Sequence, residues 1–163
     1  MYKYINIYLI SLFLTTNCMA DYASNISIKI LSNYKIEINY IKKIYTVKVD
    51  HSIDGYNIDC DKKNMVIWGR PKLFNPASPQ SSNVTILKIN QPSIKKEIGI
   101  MGGVFDVFYL KNKPIVYIES GMEELLVNLT DGSFLEKKGY EAEPSDFEDC
   151  PDFFGKSYRR YPE

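Results

Sequence analysis

The sequence has few of the residues that most active sites need. It contains one histidine, His51, one tryptophan and three cysteines. A Ser-His-Asp or Cys-His arrangement would have to use that single histidine. There is also no GxSxG elbow, P-loop, HExxH motif or CxxC pair. His51 follows a predicted strand that ends near Val49, and we interpret it as a polar turn residue rather than a catalytic base.

The chain also lacks an excess of either charge, with 20 basic and 20 acidic residues. Nucleic-acid binding needs a concentrated positive face, so we expect no nucleic-acid partner. The charges are unevenly placed, however, because residues 139–163 carry seven acids and three bases. This acidic tail follows a mildly basic body.

The N-terminus has the three-part layout of a secretory signal peptide. Lys3 supplies a positive start, Ile5 to Leu14 is mostly apolar, and Cys18-Met19-Ala20 ends in a small residue. The apolar stretch is too short to span a bilayer, which needs about 20 residues. We therefore predict that residues 1–20 are removed and that residues 21–163 form one periplasmic or secreted domain.

A bacterial lipoprotein signal is the alternative interpretation of this region. It resembles Leu-x-small-Cys, with the cysteine acylated. Thr15 stands where Leu is usual and Asn17 where a small residue is usual, so both positions depart from that pattern. We favour cleavage after Ala20 and expect membrane contact only if Cys18 is lipidated.

Two cysteines remain after that cleavage, Cys60 and Cys150. In an exported protein an even pair predicts a disulfide, which would fasten the acidic tail to the body. Two free thiols or a metal pair are the alternatives, and the single histidine disfavours a metal site. We expect no metal and no cofactor.

No stretch shows a convincing helical period, whereas alternation of apolar and polar residues is frequent. This pattern predicts an all-β fold of antiparallel sheets with a disulfide-tethered, irregular C-terminal tail. Four turns are predicted between strands, with Asp131-Gly132 the strongest tight-hairpin signal. The turns lie at Lys42-Lys43, Asp61–Asn64, Lys111–Pro114 and Asp131-Gly132.

A faint internal repeat relates residues 56–99 to residues 104–139, since each reads as two successive hairpins with a glycine between them. This order is typical of a β-propeller blade. A closed propeller needs at least four blades of about 40–45 residues, and the chain has room for about three. A sandwich, an open barrel or a partial propeller-like blade stack fits the length.

Residues 69–82 interrupt the strands with three prolines, which rule out a central strand. Long loops of this kind are functional or plain insertions, and both interpretations stay open here. Arg70 and Phe74 are its candidate binding residues.

Carboxylates suggest two weaker possibilities. Residues 50–61 are rich in oxygen ligands, but their spacing does not match an EF-hand loop. A glycosidase-type acid pair would have to come from Asp106, Glu119, Glu123 or Glu124, and only their separation in space would support it.

The tail is the most distinctive segment of the chain. Aromatic residues and arginine are enriched in interface hot spots, and acids can steer a basic partner. Alternatively, Phe147, Phe153 and Phe154 pack on the body as a strap. The predicted partner-binding residues in the tail are Glu141, Glu143, Asp146, Glu148, Asp149, Tyr158, Arg159, Arg160 and Tyr161.

Signal peptide, size, β content and tethered tail together resemble the periplasmic immunity proteins of bacterial toxin systems, such as those paired with type VI secretion effectors. The resemblance implies a non-enzymatic protein that occludes the active site of a cognate periplasmic toxin. A carboxylate-dependent periplasmic hydrolase and a structural or lipid-anchored envelope component are the alternatives.

Overall fold

Three antiparallel sheets make up the fold in a computed structural model that describes residues 26–73, 76–77, 80–135, 141–150 and 156–157. The all-β prediction is confirmed. The predicted signal peptide, residues 1–20, lies outside the described residues. The strands are β1 (Ile26–Ser32), β2 (Lys35–Tyr40), β3 (Lys43–Lys48), β4 (Gly55–Ile58), β5 (Asn64–Gly69), β6 (Ser82–Lys88), β7 (Gln91–Ile100), β8 (Val104–Tyr109), β9 (Ile115–Ser120), β10 (Glu124–Asn128), β11 (Phe134–Leu135) and β12 (Lys156–Ser157).

The first sheet, in the order β1-β2-β3, alternates as a half-buried meander should. Ile36, Ile38 and Val47 point to the core and are buried. On the other face Lys29 lies opposite Glu37, which lies opposite Thr46. The outer face of this sheet is therefore mainly polar and faces solvent, with Ile44 exposed on it near the β2–β3 turn.

The central sheet, in the order β12-β4-β5-β6-β7, has β5 and β6 buried on both faces. In β5, Met65 and Ile67 pack against the first sheet, whereas Val66 and Trp68 pack against the third. This explains why residues 65–68 are continuously apolar instead of alternating. The central sheet thus joins two hydrophobic cores.

The third sheet, in the order β11-β10-β9-β8, packs Val107, Val116 and Val127 onto the central sheet. Its outer face carries a second apolar row that includes Tyr117 and Leu126. An apolar outer face needs a cover, because exposed contiguous apolar area is rare on a soluble protein.

Residues 141–150, which we call the strap, supply that cover. The ring of Phe147 stacks on Phe108 at 4.7 Å between centroids and lies 5.4 Å from Tyr117. Phe147 also forms an antiparallel bridge with Leu110 beside the free edge of β8. The predicted Cys60–Cys150 disulfide is present, with a Cα–Cα distance of 5.3 Å. Phe153 and Phe154 lie outside the described residues.

Two predicted turns are wrong in position or length. The β2–β3 turn is at Ile41-Lys42, one residue before the prediction, because Tyr40 pairs with Lys43. The Asp131-Gly132 hairpin is not tight: pairing resumes only at Phe134, opposite Val127. The hydroxyl of Ser133 donates to Asp131 at 2.7 Å and stabilises this wider loop.

The internal repeat corresponds to two successive four-stranded meanders, β4–β7 and β8–β11. The repeat thus reflects a unit of structure. No helix in the described part of the chain has the length and apolar character needed to cross a membrane.

Candidate functional site

His51 is fully buried, so its interpretation as a polar turn residue is wrong. The chain around it forms a β-bridge with Pro71. Its Nδ1–H donates to the carbonyl of Ser52 at 2.6 Å, and its Nε2 accepts from the hydroxyl of Thr85 at 2.8 Å. The ring therefore ties the β3–β4 connection to β6, and its position in the interior suits a structural role.

Thr85→Val tests this role because valine keeps the shape of threonine and removes the hydroxyl. The buried Nε2 of His51 loses its Thr85 donor, and we expect the free energy of unfolding to fall by about 1–3 kcal/mol. Thr46→Val, at an exposed position of β3, is the matched control and should change it by less than about 0.5 kcal/mol. Urea denaturation of both variants checks the difference, and equal effects would contradict it.

In the oxygen-rich segment, residues 50–61, the carboxylates of Asp54 and Asp59 accept hydrogen bonds from nearby residues. Asp54 accepts from Ser52 Oγ at 2.7 Å. Asp59 accepts from Lys63 N, from Asn64 N and from Asn64 Nδ2 at 2.7, 3.0 and 2.6 Å. The Asp59 contacts shape the β4–β5 turn, and the Asp54 contact lies in the β3–β4 connection.

A polar cleft of about 290 Å³ lies between this turn and the β8–β9 turn, and Glu148 of the strap also lines it. Tyr109 lines it with its hydroxyl donating to the carbonyl of Asn57 at 2.8 Å, and burial raises the pKa of Tyr109 well above its usual value. Glu148 accepts from Cys60 N at 2.8 Å. The lining residues are Asp59, Asp61, Lys63, Asn64, Tyr109, Asn112, Lys113, Pro114, Leu129 and Glu148.

Burial raises the pKa of Glu148, and the charges of Asp59 and Asp61 raise it further, against the lowering effect of the Cys60 N–H. A raised carboxyl pKa means that the folded protein holds this proton more tightly than the unfolded chain. This group therefore lowers stability progressively as the pH rises from the usual value of 4.5 through the folded pKa.

Glu148→Gln keeps an oxygen for the Cys60 N–H and removes the charge. We expect its Tm to exceed that of the unmutated protein at pH 7, with the advantage disappearing as the pH falls below 4.5. Glu141→Gln, at an exposed position of the strap, is the control. Thermal melts across this pH range measure the effect, and a lower Tm for Glu148→Gln at pH 7 would contradict it.

Cys60, Glu148 and Cys150 bring possible metal-ligand atoms within 4.8 Å of one another. Both sulfurs are joined in the disulfide, and a thiolate is the form that ligates metals. This cluster therefore fastens the strap.

The strap acids predicted to bind a partner have different environments. Glu141, Glu143 and Asp149 are exposed, whereas Glu148 is half-buried in the cleft. The carboxylate of Asp146 accepts from Glu143 N at 3.1 Å and supports a short 3₁₀ turn. Tyr158, Arg159, Arg160 and Tyr161 lie outside the described residues.

The predicted loop residues lie elsewhere. Arg70 is exposed beside Asp54, with 4.0 Å between Nε and Oδ2, and its backbone N donates to Ser52 Oγ. Phe74 lies outside the described residues. Arg70 is thus anchored to the β3–β4 connection, away from the strap on the third sheet.

Sequence reasoning missed an exposed apolar patch formed by Met101, Phe105 and Met122. These side chains are 62, 64 and 63% exposed. Met101 and Met122 lie in the β7–β8 and β9–β10 connections, which abut because Gly121 N donates to the carbonyl of Gly103 at 3.0 Å. Phe105, in β8, lies against Gly121. Phe105 is at a bulge in β8, which offsets it from regular alternation.

Next to this apolar patch, three carboxylates form a row across neighbouring strands. Asp106 pairs with Glu119, which pairs with Glu124. Direct cross-strand partners share a face, and like charges there are destabilising. Among the described residues neither Asp106 nor Glu119 forms an ion pair, and burial raises the pKa of Asp106. The carboxylate row thus adds negative charge to the third sheet beside the apolar patch.

Charge separates along the stack. The described parts of residues 104–150 contain ten acidic residues and two lysines, whereas residues 26–49 contain five lysines and one glutamate. The two groups lie in the third and first sheets, on opposite sides of the central sheet. The strap and the carboxylate row together make the third-sheet end strongly negative.

One signal in the sequence would have located the apolar patch: Met101 and Met122 each lie beside glycines in the turns before and after the β8–β9 hairpin. Large apolar residues in such turns are exposed by the local geometry. No protein-family model, curated protein or solved structure matches this chain.

Proposed function

We propose that this chain is an exported protein-binding domain of the immunity type, which occludes a basic surface of a cognate periplasmic toxin. The observation that carries the proposal is the apolar patch of Met101, Phe105 and Met122 beside the carboxylate row. Aromatic and methionine side chains are enriched in interfaces, and methionine adapts its shape to a partner.

The charges define the partner further. Lysines or arginines of a partner would be attracted to the Asp106 and Glu119 carboxylates of this row. The exposed strap acids Glu141 and Glu143 extend the same negative end. The partner surface therefore combines an apolar recess with a basic rim.

Loss of protection against the toxin tests the proposal. The candidate toxin is the product of a neighbouring gene, expressed with an export signal in a host that also makes this protein. Phe105→Ser should abolish the protection, because it removes the largest exposed side chain of the apolar patch. Phe134→Ser is the matched control, since Phe134 is an exposed aromatic residue on β11.

The rate of association tests the electrostatic part. Glu119→Lys with Glu141→Lys should slow association at low salt by about tenfold and have a smaller effect at high salt. Surface plasmon resonance with the purified toxin measures this. Equal protection by the Phe105 and Phe134 variants, or association independent of salt, would contradict the proposal.

A carboxylate-dependent hydrolase is a second candidate, favoured by the cleft in which the pKa of Glu148 is raised beside Asp59 and Asp61. A raised carboxyl pKa favours the protonated form that a general acid needs. Hydrolysis of a panel of chromogenic glycosides and esters should then require Glu148, and Glu148→Gln should lose it. Activity retained by Glu148→Gln would reject this site.

A further inference from the structure

The turn between β2 and β3 has an unfavourable backbone for its sequence. Ile41 and Lys42 both have positive φ, at 47° and 61°. A two-residue turn with two positive φ values favours Asn-Gly, and a β-branched residue there is strained. Backbone strain of this kind is typical of functional sites, where a residue is kept for a role other than stability.

The same turn exposes apolar side chains among lysines. Ile41 is 60% exposed and Ile44 is 66% exposed, with exposed Lys42 and Lys43 between them. Half-buried Tyr40 and Tyr45 flank this segment. We call residues 40–45 the tip. Isoleucine, lysine and tyrosine together are typical of segments that sit at a lipid interface.

The tip also lies at the end of the first sheet where the N-terminal part of the chain joins it. Ile26, the first residue of β1, pairs with Tyr40. The outer face of the first sheet continues from the tip, and Lys29 and Lys35 share that face with Ile44. A negatively charged lipid surface complements these lysines and those of the tip.

We propose that the tip docks on an anionic lipid surface, with Ile41 and Ile44 inserted between headgroups and the lysines paired with lipid phosphates. Each lysine near an anionic bilayer contributes about 1 kcal/mol, which is about fivefold in affinity. The proposal is independent of the proposed function, because the tip and the apolar patch lie on sheets separated by the central sheet. It extends membrane contact beyond lipidation of Cys18.

Co-sedimentation with phosphatidylglycerol vesicles tests the proposal, using the exported protein with its N-terminus identified by mass spectrometry. Ile41→Asn with Ile44→Thr should lower the partition coefficient by about tenfold. Asparagine tolerates positive φ, so the Tm should stay unchanged or rise. Lys42→Gln with Lys43→Gln should lower binding about fivefold for each lysine. Phe134→Thr is the apolar control and should bind as the unmutated protein does.

Phosphatidylcholine vesicles should bind more weakly than phosphatidylglycerol vesicles, and high salt should reduce the difference. Equal binding to both vesicle types, or no loss in the Ile41 and Ile44 variant, would overturn the proposal. Loss of binding to a DNA oligonucleotide in the tip variants without loss of vesicle binding would assign the tip to nucleic acid instead. A tip-dependent change of mass in ultracentrifugation, without vesicle binding, would assign it to a second copy of the chain.

Discussion

Replacing Cys60 and Cys150 with serine should lower the free energy of unfolding by about 4–5 kcal/mol. The disulfide joins residues 90 positions apart, and a loop of that length strongly restricts the unfolded chain. The loss is comparable with the whole stability of many domains. Guanidinium denaturation of the double variant, beside the oxidised protein, measures it.

Ser27→Ala, at an exposed position of β1, is the control. It should leave the unfolding midpoint unchanged. The strap should also open first, so hydrogen exchange in the double variant should speed up at the amides of Lys111 and Glu148, which donate to Asp146 and Tyr109. A loss below about 1 kcal/mol would mean that strap packing alone holds the C-terminal region.

Gly69→Ala should cost about 3 kcal/mol or more. A Cβ atom at residue 69 would overlap the carbonyl oxygen of Ser52. That backbone cannot easily withdraw, because Ser52 N donates to the carbonyl of Arg70 at 2.8 Å and the Ser52 carbonyl holds His51. Overpacking against fixed backbone is among the few causes of large single-residue losses.

Gly99→Ala provides the contrast within the same sheet. The nearest atom to a Cβ at Gly99 is Asn83 Oδ1 at 3.9 Å, an ordinary contact distance. This variant should keep its stability or gain up to about 1 kcal/mol, since glycine weakens a strand. Thermal and urea unfolding of the two variants give the comparison. Similar losses at both positions would show that glycine flexibility, rather than the Ser52 contact, matters.

The sequence predicts the strands and the disulfide because both depend on local pattern or simple counting. Alternation in residues 26–30 and 34–40 follows directly from one buried face, and two remaining cysteines leave one pairing. The repeat of residues 56–99 and 104–139 also marks two meanders. The position of the β2–β3 turn is missed because Ile41 adopts a conformation that isoleucine rarely takes.

The candidate sites are harder to predict because they depend on contacts between distant segments. The sequence predicts a turn residue at His51, because its hydrogen-bond partner Thr85 is 34 positions away in the chain. The carboxylate row exists only through the registers of β8, β9 and β10, which no spacing along the chain reveals. In the sequence Glu148 resembles the other tail acids, and only the position of the strap shows that its carboxylate accepts from Cys60 N.

The topology has a consequence for the order of assembly. Every strand pairing from β1 to β11 within a sheet joins neighbours in sequence, so each meander can form soon after its residues leave a ribosome or a translocation pore. The face of the β4–β7 meander that packs on the third sheet stays exposed until β8–β11 has been made. The sulfur–sulfur bond therefore forms last of these contacts, because Cys150 emerges only after β1 to β11 have been made.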